Sequence, residues 1–136
     1  MICISAARDR SSVLNSPATA RRAESTSVEI AFFEPRSKRA PMSRYVFMTM
    51  VVGVGYGGLE HRASTALLCN RNELPLKHQA EMSDAYRGFL SLCSHEYFHT
   101  WNVKRIKPAA FASYDLCQEK LHQLALAFRR FHQLLR

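Results

Sequence analysis

The strongest constraint in this chain is the five-residue run His95-Glu96-Tyr97-Phe98-His99. Residues four apart on an α-helix lie one above the other on the same face. A helix here would therefore bring the His95 and His99 imidazoles to a common point, where they suit a single metal ion, zinc first. Glu96 would sit beside that ion rather than on it. From there its carboxylate can take a proton from an attacking water and pass it to a leaving amine. Zinc, for its part, acidifies the water and polarises the carbonyl under attack.

The surrounding residues permit the helix. Ser83 is a suitable N-cap, and Asp84 in the first turn favours the positive end of the helix dipole. Phe89, Cys93 and Tyr97 recur at helical spacing, and no proline follows until Pro108. The expected helix runs from roughly residue 83 to 101. Gly88 lies inside it, where glycine costs about 1 kcal/mol against alanine. The competing reading is an ordinary amphipathic helix with two surface histidines and a solvated glutamate.

Upstream, Tyr45-Val-Phe-Met-Thr-Met-Val-Val52 is short, β-branched and aromatic, which predicts a buried strand. The glycines that follow, Gly53, Gly55, Gly57 and Gly58, predict a segment with positive φ angles and a close approach of another backbone. They match neither the phosphate-binding nor the dinucleotide-binding glycine pattern. Ala63 to Cys69 is apolar enough for a second strand, and Asn70 to Glu81 reads as a polar connection. Past the helix, Asn102 to Tyr114 reads as a basic loop. Leu121, Leu124, Phe128, Phe131 and Leu135 then alternate by three and four, the pattern of a C-terminal amphipathic helix.

The first 40 residues show no sustained period, with Pro17 and Pro35 as breaks, and predict a poorly ordered lead-in. One short strand or helix is expected within it at Val28 to Phe33. Two units follow: the lead-in, 1–40, and a catalytic domain, 41–136.

Composition narrows the class. With 47% apolar and 22% charged residues, 136 residues make one small globular domain. The net charge of +8 is split between the N-terminal third and the far C-terminus, without a nucleic-acid-binding motif, so no nucleic-acid partner is expected. The four cysteines are widely spaced and imply no disulfide framework. No stretch approaches the roughly 20 apolar residues of a membrane span, and no signal-peptide core is present. A cytoplasmic location without a membrane partner is the resulting expectation.

Two motifs together resemble a known family. Gly57-Gly58-Leu59-Glu60-His61, followed by His95-Glu-Tyr-Phe-His-Thr-Trp-Asn-Val-Lys-Arg-Ile-Lys-Pro108, is similar to the glycyl aminopeptidase family of zinc metallopeptidases. The likeness runs from about Tyr45 to Glu119. It implies a gluzincin, here as an α+β, partial thermolysin-like catalytic domain: a small sheet, the motif helix and a C-terminal helix. It implies one zinc ion, with His95 and His99 as ligands, Glu96 as general base and peptides as substrates. In the related Gly-x-Met-Glu-Asn strand the backbone aligns the substrate and the glutamate grips its free amine. Those roles pass to Gly57, Gly58 and Glu60.

One part of the pattern fails. Gluzincins take a third protein ligand, a glutamate, from the next helix, within a stretch like Trp-x-Phe-Glu-Gly-Phe-Thr-Ser-Tyr-Tyr. Ala127 to Arg136 contains no carboxylate. If the codons from Lys120 onward are read one nucleotide later, the genetic code permits that stretch, so a frameshift after about Glu119 is the expected cause. Glu119 and Asp115 are the nearest substitute ligands. The chain is therefore read as an incomplete core of an aminopeptidase-type enzyme. An inactive remnant of a disrupted gene is the alternative, and a basic nucleic-acid-binding fragment a distant third.

Overall fold

The computed structural model describes residues 2–7, 17–75, 81–107, 109 and 117. Its regular elements are β1 (Ile2–Ala7), α1 (Pro17–Phe33), β2 (Arg44–Val52), β3 (Gly57–Glu60), β4 (Ser64–Asn70), a 3-10 turn at Arg71–Glu73, and α2 (Asp84–Phe98). The four strands form one mixed sheet in the order β1-β2-β4-β3. β2 runs parallel to β4, while β1 on β2 and β3 on β4 are antiparallel.

β2 and β4 alternate as half-buried strands should. Tyr45, Phe47 and Thr49 of β2 and Thr65, Leu67 and Cys69 of β4 are buried. Onto that side packs α2, whose Tyr86, Phe89, Leu92, Cys93 and Tyr97 recur every three or four residues and join the same core. Tyr45 meets Tyr97 edge-to-face at 4.8 Å, and Tyr97 meets Trp101 at 5.5 Å. Each such pair adds about 1 kcal/mol beyond its burial. The cap is as the sequence predicts: the Ser83 hydroxyl accepts from the Tyr86 amide at 3.1 Å.

Three expectations need correction. First, residues 17–33 are helical, not a lead-in without regular structure, and residues 2–7 add a strand to the sheet. Pro17 opens α1, a position where its missing amide N–H costs nothing, and Pro35 follows its end. Thr26, Glu29, Ile30 and Phe33 share one inward face against α2. Phe33 stacks on Trp101 at 4.9 Å, and the Trp101 Nε1–H donates to Glu34 at 3.0 Å. Second, the glycine-rich segment is not a turn of positive φ, since none of its glycines has one; Gly57–Glu60 is an edge strand, as the resemblance implies. Third, α2 stops at Phe98 rather than near residue 101, leaving His99 as its C-cap. The basic segment begins as a tight turn, in which Asn102 and Ile106 form a bridge. The expected C-terminal helix, Asp115 and Glu119 lie outside the described residues.

Candidate active site

The site forms where the C-terminal end of α2 crosses the edge strand β3. His99 keeps right-handed helical angles at the cap (φ −62°, ψ −14°), so the four-residue stacking survives the end of the helix. The His95 and His99 rings sit edge-to-face, 5.2 Å between centroids. His99 is buried and His95 half-buried. The Nδ1 of His99 lies 3.3 Å from the Asn102 carbonyl oxygen. That oxygen can only accept, so Nδ1 carries the proton and Nε2 keeps a lone pair for a ligand.

Glu96 is buried at 4% exposure on the turn between the two histidines. The Tyr45 hydroxyl donates to its backbone carbonyl at 3.3 Å, tying this turn of α2 to β2. Its carboxyl is pushed up to about 7, chiefly by burial and further by the charge of Glu60. One oxygen, Oε2, is buried without a hydrogen-bond partner. An orphaned acceptor of this kind calls for a proton, a water or a cation.

Glu60, at the end of β3, closes the group. Glu60, Glu96 and His99 offer ligand atoms that all lie within 4.8 Å of one another. Burial works to raise the Glu60 carboxyl, but a backbone hydrogen bond, Lys104 and His99 outweigh it and hold it below its ordinary range. Lys104 Nζ stands 3.1 Å from Glu60 Oε1. No local pattern marks this pair, because Lys104 lies in the basic segment far along the chain from Glu60.

Gly58 explains why this strand is glycine-rich. A Cβ there would overlap the Glu96 carboxylate and lie 2.5 Å from its Cγ, so a side chain at this position would have to displace that of Glu96. A Cβ at Gly57 would meet nothing within 4 Å, so close packing asks nothing of that position.

The structure thus gathers Glu60, Gly58, Glu96 and His99 and places His95 beside His99. Glu60, Glu96 and His99, with an orphaned oxygen on Glu96, are a donor set compatible with a metal ion, while His95 contacts the His99 ring but lies outside that group. Cys93 is buried at 3%, the packing role its place on the apolar stripe predicts. Among the described residues no helix is long and apolar enough to cross a membrane.

Residues 88–129 match the family model described as M61 glycyl aminopeptidase, a match that continues past Glu119. Among solved structures, an aminopeptidase N family protein from Idiomarina loihiensis superposes with a TM-score of 0.67 at 46% identity, covering 87% of this chain. The shared region is 20% of that longer protein. A comparison with curated proteins gives no match.

Proposed function

We propose, on the premise that this chain belongs to the glycyl aminopeptidase family of peptidases, that it carries the water-activating half of a zinc-dependent aminopeptidase centre. The observation behind this reading is the buried Glu96 carboxylate, which offers a ligand atom within 4.8 Å of those of Glu60 and His99.

In this reading His95 and His99 hold the metal. A zinc ion bound there would supply Lewis-acid polarisation of the scissile carbonyl and acidification of the attacking water. Glu96 removes the proton from that water and delivers it to the departing amine. Its raised affinity for protons suits it to both steps near neutral pH. Glu60 grips the free α-amine of the peptide, and β3 aligns the substrate backbone alongside it. The fold around them is the corresponding part of a thermolysin-like catalytic domain, assigned to residues 41–136.

The centre is incomplete in this reading. A catalytic zinc normally has three protein ligands, and the stretch expected to give the third contains Arg129 and Arg130 instead of a carboxylate. The coding DNA tests the proposed cause: codons from Lys120 onward that cannot spell the family stretch one nucleotide later would refute a frameshift.

The function itself is tested by release of p-nitroaniline from glycyl-p-nitroanilide in the presence of zinc. The chain should turn over poorly or not at all. The same chain with residues 120–136 replaced by the family stretch should turn over and lose activity to a chelator. Failure of the folded replacement to hydrolyse any aminoacyl anilide would favour the inactive-remnant reading instead.

A further inference from the structure

Glu60 already has a cation in its grasp. Lys104 Nζ lies 3.1 Å from Oε1, and both side chains are mostly shielded, at 29% and 23% exposure. In the proposed function this same carboxylate receives the substrate's α-amine, which is chemically another primary ammonium. Two ammonium groups on one carboxylate repel each other, and the protein shields them only partly from that repulsion. The substrate amine and Lys104 therefore compete for Glu60.

The turn that delivers Lys104 is firmly held. The Val103 amide donates to the Ile106 carbonyl at 2.9 Å, and the Arg105 and Ile106 amides donate to the Trp101 carbonyl at 3.0 and 2.7 Å. Arg105 Nη1 donates to the Thr100 carbonyl at 2.6 Å. Val103 itself sits at φ 79°, in the left-handed region that a β-branched residue seldom adopts. With the backbone fixed, what can move is the four-carbon stem of Lys104, a flexible carrier of a compact charge. The pair also has a reason to exist without substrate. It neutralises one of two carboxylates that lie within 4.8 Å of each other.

We propose that Lys104 is a specificity-determining residue: it occupies the Glu60 carboxylate in the absence of substrate and is exchanged for the substrate's α-amine. The inference rests on the assignment of Glu60 as the amine-binding group. Amine recognition then becomes the replacement of one ammonium by another. A ligand with a blocked amine gains nothing at Glu60, because it cannot displace the lysine.

The test is equilibrium binding of glycinamide and of N-acetylglycinamide, followed by NMR shifts, to the full chain and to Lys104→Met, Lys104→Arg and Glu60→Gln, each checked for an unchanged melting profile. Lys104→Met should bind glycinamide about two- to fivefold more tightly, the effect of removing one partly exposed competing ion pair. Lys104→Arg should bind it no more tightly than the parent, and N-acetylglycinamide should not distinguish the variants. Glu60→Gln in the Lys104→Met background should remove the gain. Glycinamide binding that needs Glu60 but ignores Lys104→Met would overturn the exchange and leave the amine assignment standing. Binding indifferent to Glu60 in every background would overturn both.

Discussion

Two glutamates, the half-buried Glu29 on α1 and the buried Glu96 on α2, look alike by themselves and differ in what surrounds them. Burial lifts both carboxyls to about 7, and each leaves its Oε2 without a hydrogen-bond partner. Glu29 is wedged between α1 and α2, where its other oxygen accepts the Ser94 hydroxyl and pulls the shift back down. Glu96 has a second carboxylate and an imidazole within 4.8 Å, and the charge of Glu60 raises it further. Burial alone makes a carboxyl reluctant to ionise. Neighbours decide whether that reluctance is only a packing cost or a tool for moving protons.

The sharpest way to break the comparison is to replace both side chains by their amides in the chain carrying the family stretch. Glu96→Gln should lower anilide turnover by about a hundredfold or more, because the amide cannot accept the proton. Glu29→Gln should leave turnover within about twofold. Equal losses would mean that both residues act through packing.

Next in size is Gly58→Ala. Its methyl would collide with the Glu96 carboxylate and push it off the histidine pair. Overpacking of this kind costs about 1–3 kcal/mol, read by denaturant unfolding, and displacement of the base should cost about tenfold or more in turnover. Gly57→Ala, which meets nothing within 4 Å, is the matched control and should do much less.

Glu29 makes a prediction about pH. Its folded carboxyl holds a proton up to about 7, whereas the unfolded one releases it near the ordinary 4.5. The native state therefore binds the extra proton between those values, and stability falls as pH rises from about 4.5 to 7 and levels off above. Glu29→Gln should remove this share of the slope. The variant should be about 1–3 kcal/mol more stable than the parent at pH 8 and close to it at pH 4, by urea unfolding. A parent–variant difference independent of pH would contradict the account.

Much of the α2 side was legible in the sequence. The helix, its Ser83 cap and both central strands follow from residue pattern, whereas a place for Glu60 in the site follows only from the family resemblance. Less was legible elsewhere, for physical reasons. In α1 the inward face is narrow, Val28 and Phe32 are exposed at 67% and 73%, and Pro17 marks a start that looks like a break. In β3 glycines erase the alternation that identifies a strand, and of the two uses they suggest, positive φ and close approach, only the second applies at Gly58, where the neighbour is the Glu96 side chain. Lys104 had no local signal, because its partner is distant in sequence and its turn depends on the left-handed Val103.

That residue gives the smallest effect. Left-handed backbone costs a β-branched side chain about 1–2 kcal/mol, and glycine returns part of this as unfolded-state entropy. Val103→Gly (φ 79°) should therefore stabilise the chain by about 1 kcal/mol, and more than Lys38→Gly (φ 49°) does at the other left-handed position, after α1. Thermal melts of the two variants compare them directly.

In the proposed function His95 and His99 form the zinc site, and this chain completes it only in part. Zinc titration of the purified chain by calorimetry tests it most directly, beside His95→Ala, His99→Ala and the version carrying the family stretch. The account predicts weak one-site binding that either alanine abolishes and that the family stretch tightens by tenfold or more. Tight stoichiometric zinc in the unaltered chain, indifferent to both histidines or lost on Glu119→Ala, would contradict it.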